Sequence, residues 1–202
     1  MEITGIRRIT DRLSAAPAGN YAARDAEQLA DEVLAAGGWA ESMPVPVLEI
    51  AESFGFQAYR ESGMPGGAAG YIYTGGNTAD MYAGHDKVIL AETGMEWRQQ
   101  RFILAHGLGR YLMDYLGSPL SGTPERLFSS AYRKERSGDI REERADRFAY
   151  GLLMPSRSFL RQFARAAWDS KCNDTYILTY LSGCFDVEES LAVKRIAQVM
   201  EG

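Results

Sequence analysis

The sequence predicts an α+β fold that is mostly helical and contains a small antiparallel sheet. Three observations predict it: several segments repeat apolar residues at helical spacing, short β-prone runs in the middle of the chain are separated by glycine-containing turns, and further helical segments follow. With 202 residues, of which 46% are apolar, the chain can bury a core of ordinary size. We divide it into an N-terminal arm (1–20), an α+β domain (21–156) and a C-terminal helical segment packed on that domain (157–202).

Two helices and a strand are predicted before the glycine-rich part of the chain. The segment Tyr21–Ala36 has apolar residues at helical spacing, and the pair Gly37–Gly38 that follows ends a helix. The run VLEIAESFGF predicts a second, short helix that closes at Gly55. The next residues, Phe56–Tyr59, are predicted to form the first strand.

The runs YIYT, ADMYAG and KVILAE predict further strands, because GGN and GHD turn signals separate them. Before them, Gly63–Gly70 is rich in glycine but lacks the Lys-Ser/Thr pair that follows a phosphate-binding loop. We therefore predict a flexible loop without a ligand at this place. His85 belongs to the GHD turn and is expected to face solvent.

Two longer helices are predicted after the sheet, at Glu96–Leu116 and over the run EERADRFAYGLLMP, which Pro155 ends. In the residues between them, 117–140, the apolar residues follow neither helical nor strand spacing, and this stretch is expected to form a long mobile connection. On the second helix, Glu142 lies three residues before Ala145 and therefore on the face that the helix buries. Because carboxylates are almost never buried without a partner, Glu142 is a candidate functional residue.

The first of these helices contains RFILAHGLGRYL, which has the spacing of a zinc-peptidase helix but lacks part of its chemistry. Such a helix carries H-E-x-x-H, in which the two histidines hold the metal and the glutamate deprotonates the attacking water. Here the first histidine is His106, the glutamate is replaced by Gly107, and the second histidine is replaced by Arg110. One ligand is thus present, while the base has no side chain and the other ligand is a permanent cation.

The combination RQQRFILAHGLGRYL and, after an interval, EERADRFAYGLLMP resembles the ImmA/IrrE family of zinc metallopeptidases. Members of that family typically read close to R-x-R-F-T-L-A-H-E-L-G-H-Y and later E-x-x-A-N-x-F-A-x-x-L-L-M-P. The resemblance extends from about residue 26 to the C-terminus and implies a zincin-like metallopeptidase fold. It implies that His106 and Glu142 stand at the first and third zinc-ligand positions. Asp146 replaces the usual asparagine.

In the same comparison, Gly107 stands at the position of the general base and Arg110 at that of the second histidine. A catalytic zinc usually has three protein ligands, and the loss of a general base alone slows a reaction by roughly 10²- to 10⁴-fold. We therefore expect no catalytic residue and no zinc in a vestigial site of His106, Arg110 and Glu142. If zinc is bound after all, His106 and Glu142 are its expected ligands. Further side chains could complete the site, and the candidates are His85, Tyr111, Asp114 and Asp146.

We expect Arg110 to take the place of the metal as the partner of Glu142. A buried guanidinium can hold a carboxylate by two parallel hydrogen bonds and never loses its charge. His106 is then expected within hydrogen-bonding reach of the same carboxylate, of Tyr150 or of Asp114.

Three functions are compatible with these motifs. The first is a non-catalytic protein that acts in regulation by binding a protein partner, such as a transcriptional repressor or a co-encoded protein of a phage or mobile element, since members of the family act on repressors. The second is an active zinc-dependent endopeptidase with substituted ligands that cleaves a specific regulator. The third is a DNA-binding regulator that uses the last helices.

The C-terminal run SGCFDVEESLAVKRIAQ resembles a helix-turn-helix, with a glycine turn, Asp186 as the N-cap and Glu189 completing a capping box. Its second helix begins with acidic residues, where DNA-binding helices need Arg, Asn or Gln. The formal charge of −5 and the pI of about 5.2 give no long-range attraction to DNA or to an anionic membrane, although they leave room for a local basic patch. We therefore expect this segment to support packing, and DNA is the less favoured partner.

The sequence also bears on the compartment. No apolar run approaches the ~20 residues of a membrane span, and the N-terminus lacks the apolar stretch of a signal peptide. Cys172 and Cys184 fit neither a disulfide scaffold nor a C-x-x-C zinc site, so both are expected to be reduced thiols. These features predict a cytoplasmic protein without a membrane partner.

Overall fold

The computed structural model describes residues 4–18, 23–121, 123, 125–133, 138–171 and 173–201, and over these it shows helices around one four-stranded sheet. The α-helices are α1 (Thr4–Ala15), α2 (Ala23–Gly37), α3 (Val47–Ser53), α4 (Thr78–Met81), α5 (Trp97–Arg110), α6 (Ile140–Leu153), α7 (Ser156–Ser170), α8 (Asp174–Phe185) and α9 (Glu189–Glu201). The strands are β1 (Gln57–Glu61), β2 (Gly70–Thr74), β3 (Lys87–Glu92) and β4 (Phe128–Tyr132). A 3₁₀ turn (Pro65–Gly67) precedes β2, and a π-helical turn (Tyr111–Tyr115) continues α5.

The predicted α+β class and most of its elements are confirmed. Helices α2, α3, α5 and α6 lie where the apolar periodicity predicts them, although the predicted start of α2 at Tyr21 falls outside the described residues. The prediction of a strand at ADMYAG is wrong, because Thr78–Met81 is a helical turn. The backbone N–H of Met81 donates to Asn77 O, so this run is hydrogen-bonded within itself and not to a neighbouring strand.

The sheet is mixed, whereas a wholly antiparallel sheet was expected. Its order is β1-β3-β2-β4, with β1 parallel to β3 and with β2 antiparallel to both β3 and β4. A parallel pair needs a crossover of about a dozen residues or more. The 62–86 segment, which contains β2 and α4, provides that crossover. The alternation of apolar and polar residues along a strand shows which face of the sheet is buried. It does not show which strands are neighbours or whether they run parallel.

Strand β4 corrects a second expectation, since it lies inside the stretch predicted to be a mobile connection. It pairs with β2 over its whole length and forms one edge of the sheet. The run FSSAY has two serines and no clean alternation of apolar residues, so its strand character comes from pairing with β2 rather than from its own pattern.

Helix α5 is the centre of the molecule. One side of it packs on the sheet and another on α6, and every residue from Gln100 to Arg110 is buried. This burial explains why His106 and Arg110, which are polar, lie in the interior. The close approach to the sheet requires Gly70, because a Cβ there would lie 2.4 Å from Ile103 Cγ2.

The N-terminal arm contains α1, which packs on α2 and buries Ile6, Ile9 and Leu13. The domain limits at residues 20 and 156 stay predictions. Among the described residues, no helix combines the length and the apolarity that a membrane span requires. Cys184 is a free thiol, and the prediction for Cys172 lies outside the described residues.

The C-terminal helices differ from the predicted helix-turn-helix at their junction. Helix α8 continues through Gly183, so the predicted glycine turn is wrong. Asp186 is not the N-cap of α9 but the left-handed residue that ends α8, with a φ of 51°. Its carboxylate lies 3.1 Å from Arg98 Nε and 3.6 Å from Arg101 Nε, so contacts with α5 determine its place rather than the capping of α9.

Gly107 and Gly109 offer a matched test of the packing around α5. A Cβ at Gly109 would lie 2.9 Å from Phe148 of α6, whereas a Cβ at Gly107 would make an ordinary contact of 3.5 Å with Ile89. We expect Gly109→Ala to lower the free energy of unfolding by about 1–3 kcal/mol through overpacking. Gly107→Ala should leave it unchanged or raise it by up to about 1 kcal/mol, because alanine is the better helix former. Urea unfolding of the two variants measures the difference, and equal effects would contradict the close α5–α6 contact.

Candidate functional site

Helices α5 and α6 bring the three predicted site residues together in the interior. His106 and Arg110 lie one turn apart on α5 and share one of its faces, and Glu142 lies in the first turn of α6. The exposed fractions of the three residues are 2%, 7% and 6%. The start of α6 is set by Asp139, whose side chain caps the helix by accepting a hydrogen bond from the backbone N–H of Arg141.

The predicted ion pair between Arg110 and Glu142 is confirmed. Arg110 Nη1 lies 3.4 Å from Glu142 Oε1, and His106 Nε2 lies 3.3 Å from Glu142 Oε2. Neither nitrogen has a well-aligned hydrogen bond, so the contacts are electrostatic in the main. Both oxygens of the buried carboxylate therefore face a basic nitrogen of α5.

Asp114 and Arg144 extend this cluster. Asp114 comes from the π-helical turn after α5, and its Oδ2 lies 3.0 Å from Arg110 Nη1. Its other oxygen, Oδ1, accepts a hydrogen bond of 3.3 Å from Arg144 Nη2 of α6. Burial raises the pKa of Asp114, while the charges of Arg110 and Arg144 oppose the rise. Arg110 thus lies between two carboxylates.

Asp146 lies on the opposite side of the imidazole, with Oδ1 at 3.0 Å from His106 Nδ1. Burial by itself lowers the pKa of His106, but the contacts with Asp146 and then Glu142 outweigh that effect and raise the pKa above its ordinary value. With a carboxylate at each ring nitrogen, the imidazolium form is favoured. A protonated imidazole has no free electron pair for a metal ion.

We call the six charged residues of this cluster the ion network. Its cations are His106, Arg110 and Arg144, and its carboxylates are Asp114, Glu142 and Asp146. With the imidazole protonated, the three positive charges balance the three negative ones. Such a balance is what allows charged groups to be buried, because an unpaired charge in the interior would cost several kcal/mol.

The space between α5 and the sheet beside the ion network is very small. It is bounded by His106, Gly107 and Arg110 on the helix and by β2 and β4, and its volume is about 10 Å³. A single water molecule needs about that much room. The ring of Tyr132 lies 4.8 Å from the imidazole of His106, centroid to centroid, and covers it from the side of β4.

The residues proposed to complete the site divide into two pairs. Asp114 and Asp146 join the ion network, whereas His85 is exposed in its turn, as predicted. Tyr111 points elsewhere, because its hydroxyl accepts a hydrogen bond from Lys87 Nζ at 3.1 Å. Tyr150, the other possible partner of His106, packs against Phe102.

Sequence reasoning missed Arg144 and Tyr132. An arginine near the start of a helix is usually solvated, and nothing in the local pattern separates Arg144 from such a residue. Tyr132 belongs to β4, which the pattern did not reveal. Arg144 lies only two residues after Glu142, but residues at that separation do not share a face of a helix, so the spacing did not point to Arg144.

The side chains present do not fit a catalytic zinc. Over the part of the chain that the structure describes, no group of three or more His, Cys, Asp or Glu residues could hold a metal ion. The position next to Glu142 that a third ligand would need is taken by the guanidinium of Arg110. The residue beside His106 is Gly107, which carries no carboxylate to activate a water molecule.

Comparison with known proteins places these helices in a family. A family model described as the IrrE N-terminal-like domain, a peptidase family, matches residues 51–196. No curated protein matches the chain. The match covers the sheet and both motif helices, α5 and α6, together with α7, α8 and part of α9. Because it spans more than half of the sequence, the chain belongs to the peptidase family of the IrrE N-terminal-like domain.

Proposed function

We propose that this chain is a non-catalytic member of its family that acts in regulation by binding another protein. The observation that carries the proposal is the position of Arg110, whose Nη1 lies 3.4 Å from Glu142 at the place of a zinc ligand. A guanidinium keeps its proton at any physiological pH, so it cannot coordinate zinc, and its charge repels a divalent cation. The Arg110–Glu142 pair joins α5 to α6 without a metal.

Two further observations support the absence of catalysis. The carboxylates of Asp146 and Glu142 raise the pKa of His106, so a metal ion would have to compete with a proton for its imidazole. The space beside the ion network has a volume of about 10 Å³, which is room for about one water molecule. A peptidase needs an attacking water, a base and room for the scissile bond beside the metal.

The proposed partner is a transcriptional repressor or a co-encoded protein, such as one of a phage or mobile element. This part rests on the family, whose members act on repressors. A packing role for the C-terminal helices, rather than DNA binding, is supported by the contacts of their acidic residues. Asp186 pairs with Arg98, and Glu188 Oε1 accepts a hydrogen bond of 2.7 Å from Gln99.

Zinc content tests the proposal. After equilibration with zinc and removal of free metal, we expect the purified chain to retain much less than one zinc per molecule. We also expect it to retain no more than a His106→Ala variant does, as measured by elemental analysis. Near-stoichiometric zinc in the wild-type chain, lost in the variant, would overturn the proposal.

A second candidate function is a zinc-dependent endopeptidase with substituted ligands that cleaves a specific regulator. It is favoured by one observation: Asp146 holds His106 Nδ1 at 3.0 Å, as carboxylates do when they orient a metal-binding histidine. This function predicts cleavage of a protein encoded alongside, inhibited by a chelator and abolished by His106→Ala. Absence of cleavage by the wild-type chain supports the non-catalytic function instead.

A further inference from the structure

Helix α7 presents an outward face on which apolar and basic residues lie side by side. The apolar residues are Leu160, Ala164 and Trp168, which follow one another at intervals of four and which we call the apolar stripe. The basic residues are Arg157, Arg161 and Arg165, which also recur every four residues and which we call the arginine row. At 100° per residue, the two sets occupy adjacent sides of the helix.

The apolar stripe is exposed because α7 packs by another face. Phe159, Gln162 and Ala166 are buried, and α7 packs on α8. In the stripe, Trp168 is 85% exposed and Leu160 is 44% exposed. A single exposed apolar residue is ordinary, but an almost fully exposed tryptophan in line with a leucine is typical of the centre of a protein interface.

The arginine row stands out against the charge of the whole chain, which is −5. Arg161 Nη2 lies 3.1 Å from Glu41 Oε2, and Arg165 Nε lies 3.8 Å from Asp169 Oδ2. Both ion pairs are largely exposed and therefore weak. Arg157 is exposed and has no ion pair among the described residues. The face therefore carries positive charge that a partner can neutralise.

We propose that the apolar stripe and the arginine row bind an acidic amphipathic helix of a partner protein. The inference rests on the proposed function, since it assigns the surface and the chemistry of the protein partner. The stripe is about 12 Å long, which corresponds to roughly two turns of a helix. Apolar residues of the partner at positions i and i+4 pack on the stripe, and Asp or Glu residues beside them pair with the arginine row.

The same face fits the other anionic partners less well. A nucleic acid would use the arginines but leave the apolar stripe without an apolar counterpart. A membrane surface requires an apolar face much larger than the three residues of the stripe. A protein helix matches both the apolar and the charged side.

The test is a binding titration in which the full chain is added to defined fluorescent probes and the fluorescence anisotropy of each probe is measured. The main probe is a helical peptide of about 14 residues with leucines on one face and glutamates beside them. A second peptide replaces each glutamate by lysine, and a short DNA duplex and anionic lipid vesicles are the remaining probes. The variants are Trp168→Ser and Arg157→Glu, and the matched controls are Met200→Ser and Lys194→Glu, which alter exposed residues of α9.

We expect the acidic peptide to bind with a Kd of roughly 10 μM or tighter, and each α7 variant to weaken binding about tenfold. The control variants should not change the Kd, and the lysine peptide should not bind. Absence of acidic-peptide binding, equal binding of both peptides, or binding that Trp168→Ser leaves unchanged would overturn the inference. Preference for the duplex or the vesicles, lost in the α7 variants, would overturn it as well. Because zinc content is measured separately, failure here is distinguishable from failure of the non-catalytic function.

Discussion

Arg110→Ala is expected to lower the free energy of unfolding by roughly 3–5 kcal/mol, the range for breaking a buried ion pair. Arg110 Nη1 lies 3.0 Å from Asp114 and 3.4 Å from Glu142, and all three side chains are nearly inaccessible to solvent. Its removal takes one cation away from Glu142, which keeps its contact with His106, and from Asp114, which keeps its contact with Arg144. The ion network then carries a negative charge that the interior does not solvate. Chemical denaturation at neutral pH measures the loss.

Arg7→Ala is the matched control. Arg7 and Asp11 form the same kind of i,i+4 pair, with Nε and Oδ2 3.9 Å apart, but both side chains are exposed. Its loss should change stability by less than about 0.5 kcal/mol. If Arg110→Ala were as mild as the control, the ion network would not be what joins α5 to α6. Combining Arg110→Ala with Glu142→Gln should recover part of the stability, because the second change removes one negative charge and restores the charge balance of the ion network.

Arg110→His is expected to give the chain a zinc affinity at least about 100-fold higher than that of the wild type, since loss of a residue that only hydrogen-bonds to a metal ligand already costs about 10- to 100-fold in affinity. The substitution removes the guanidinium and places a second imidazole one turn after His106, on the face that meets Glu142. Three protein ligands are then available, which is the number that catalytic zinc sites use. Isothermal titration with zinc, and the rise of the unfolding temperature with zinc concentration, measure the gain.

Gly107→Glu alone should not confer this affinity, because it leaves Arg110 beside Glu142. A Cβ at Gly107 meets Ile89 and Ile72 at ordinary contact distances of 3.5–3.7 Å, but the rest of a glutamate side chain exceeds the space of about 10 Å³ beside it, so this control requires that the variant folds. Combining Arg110→His with His106→Ala should abolish the gain. An Arg110→His variant that folds but does not bind zinc would show that α5 and α6 no longer have the geometry of a metal site.

Much of the candidate site could be predicted from the spacing of residues along α5 and α6. Glu142 shares a face with Ala145, and Arg110 shares a face with His106, so their burial follows from two helical periods. Their mutual approach was expected from the resemblance to the metallopeptidase family. The roles of Asp146 and Arg144 could not be predicted in the same way. Their partners, His106 and Asp114, lie 40 and 30 positions away, and no local pattern on either helix indicates these two pairs.

The sequence by itself determined most of the helices, though not α1 and α4, together with three of the four strands and the residues at the peptidase positions, because these depend on local periodicity and on residue identity at Gly107 and Arg110. The tertiary structure decided the parallel pairing of β1 with β3, the strand character of β4 and the place of Asp186. In each of these cases two local conformations are close in free energy, and long-range contacts select one of them. For Asp186, the left-handed conformation that ends α8 places the carboxylate beside Arg98 and Arg101 of α5, contacts that no local pattern indicates.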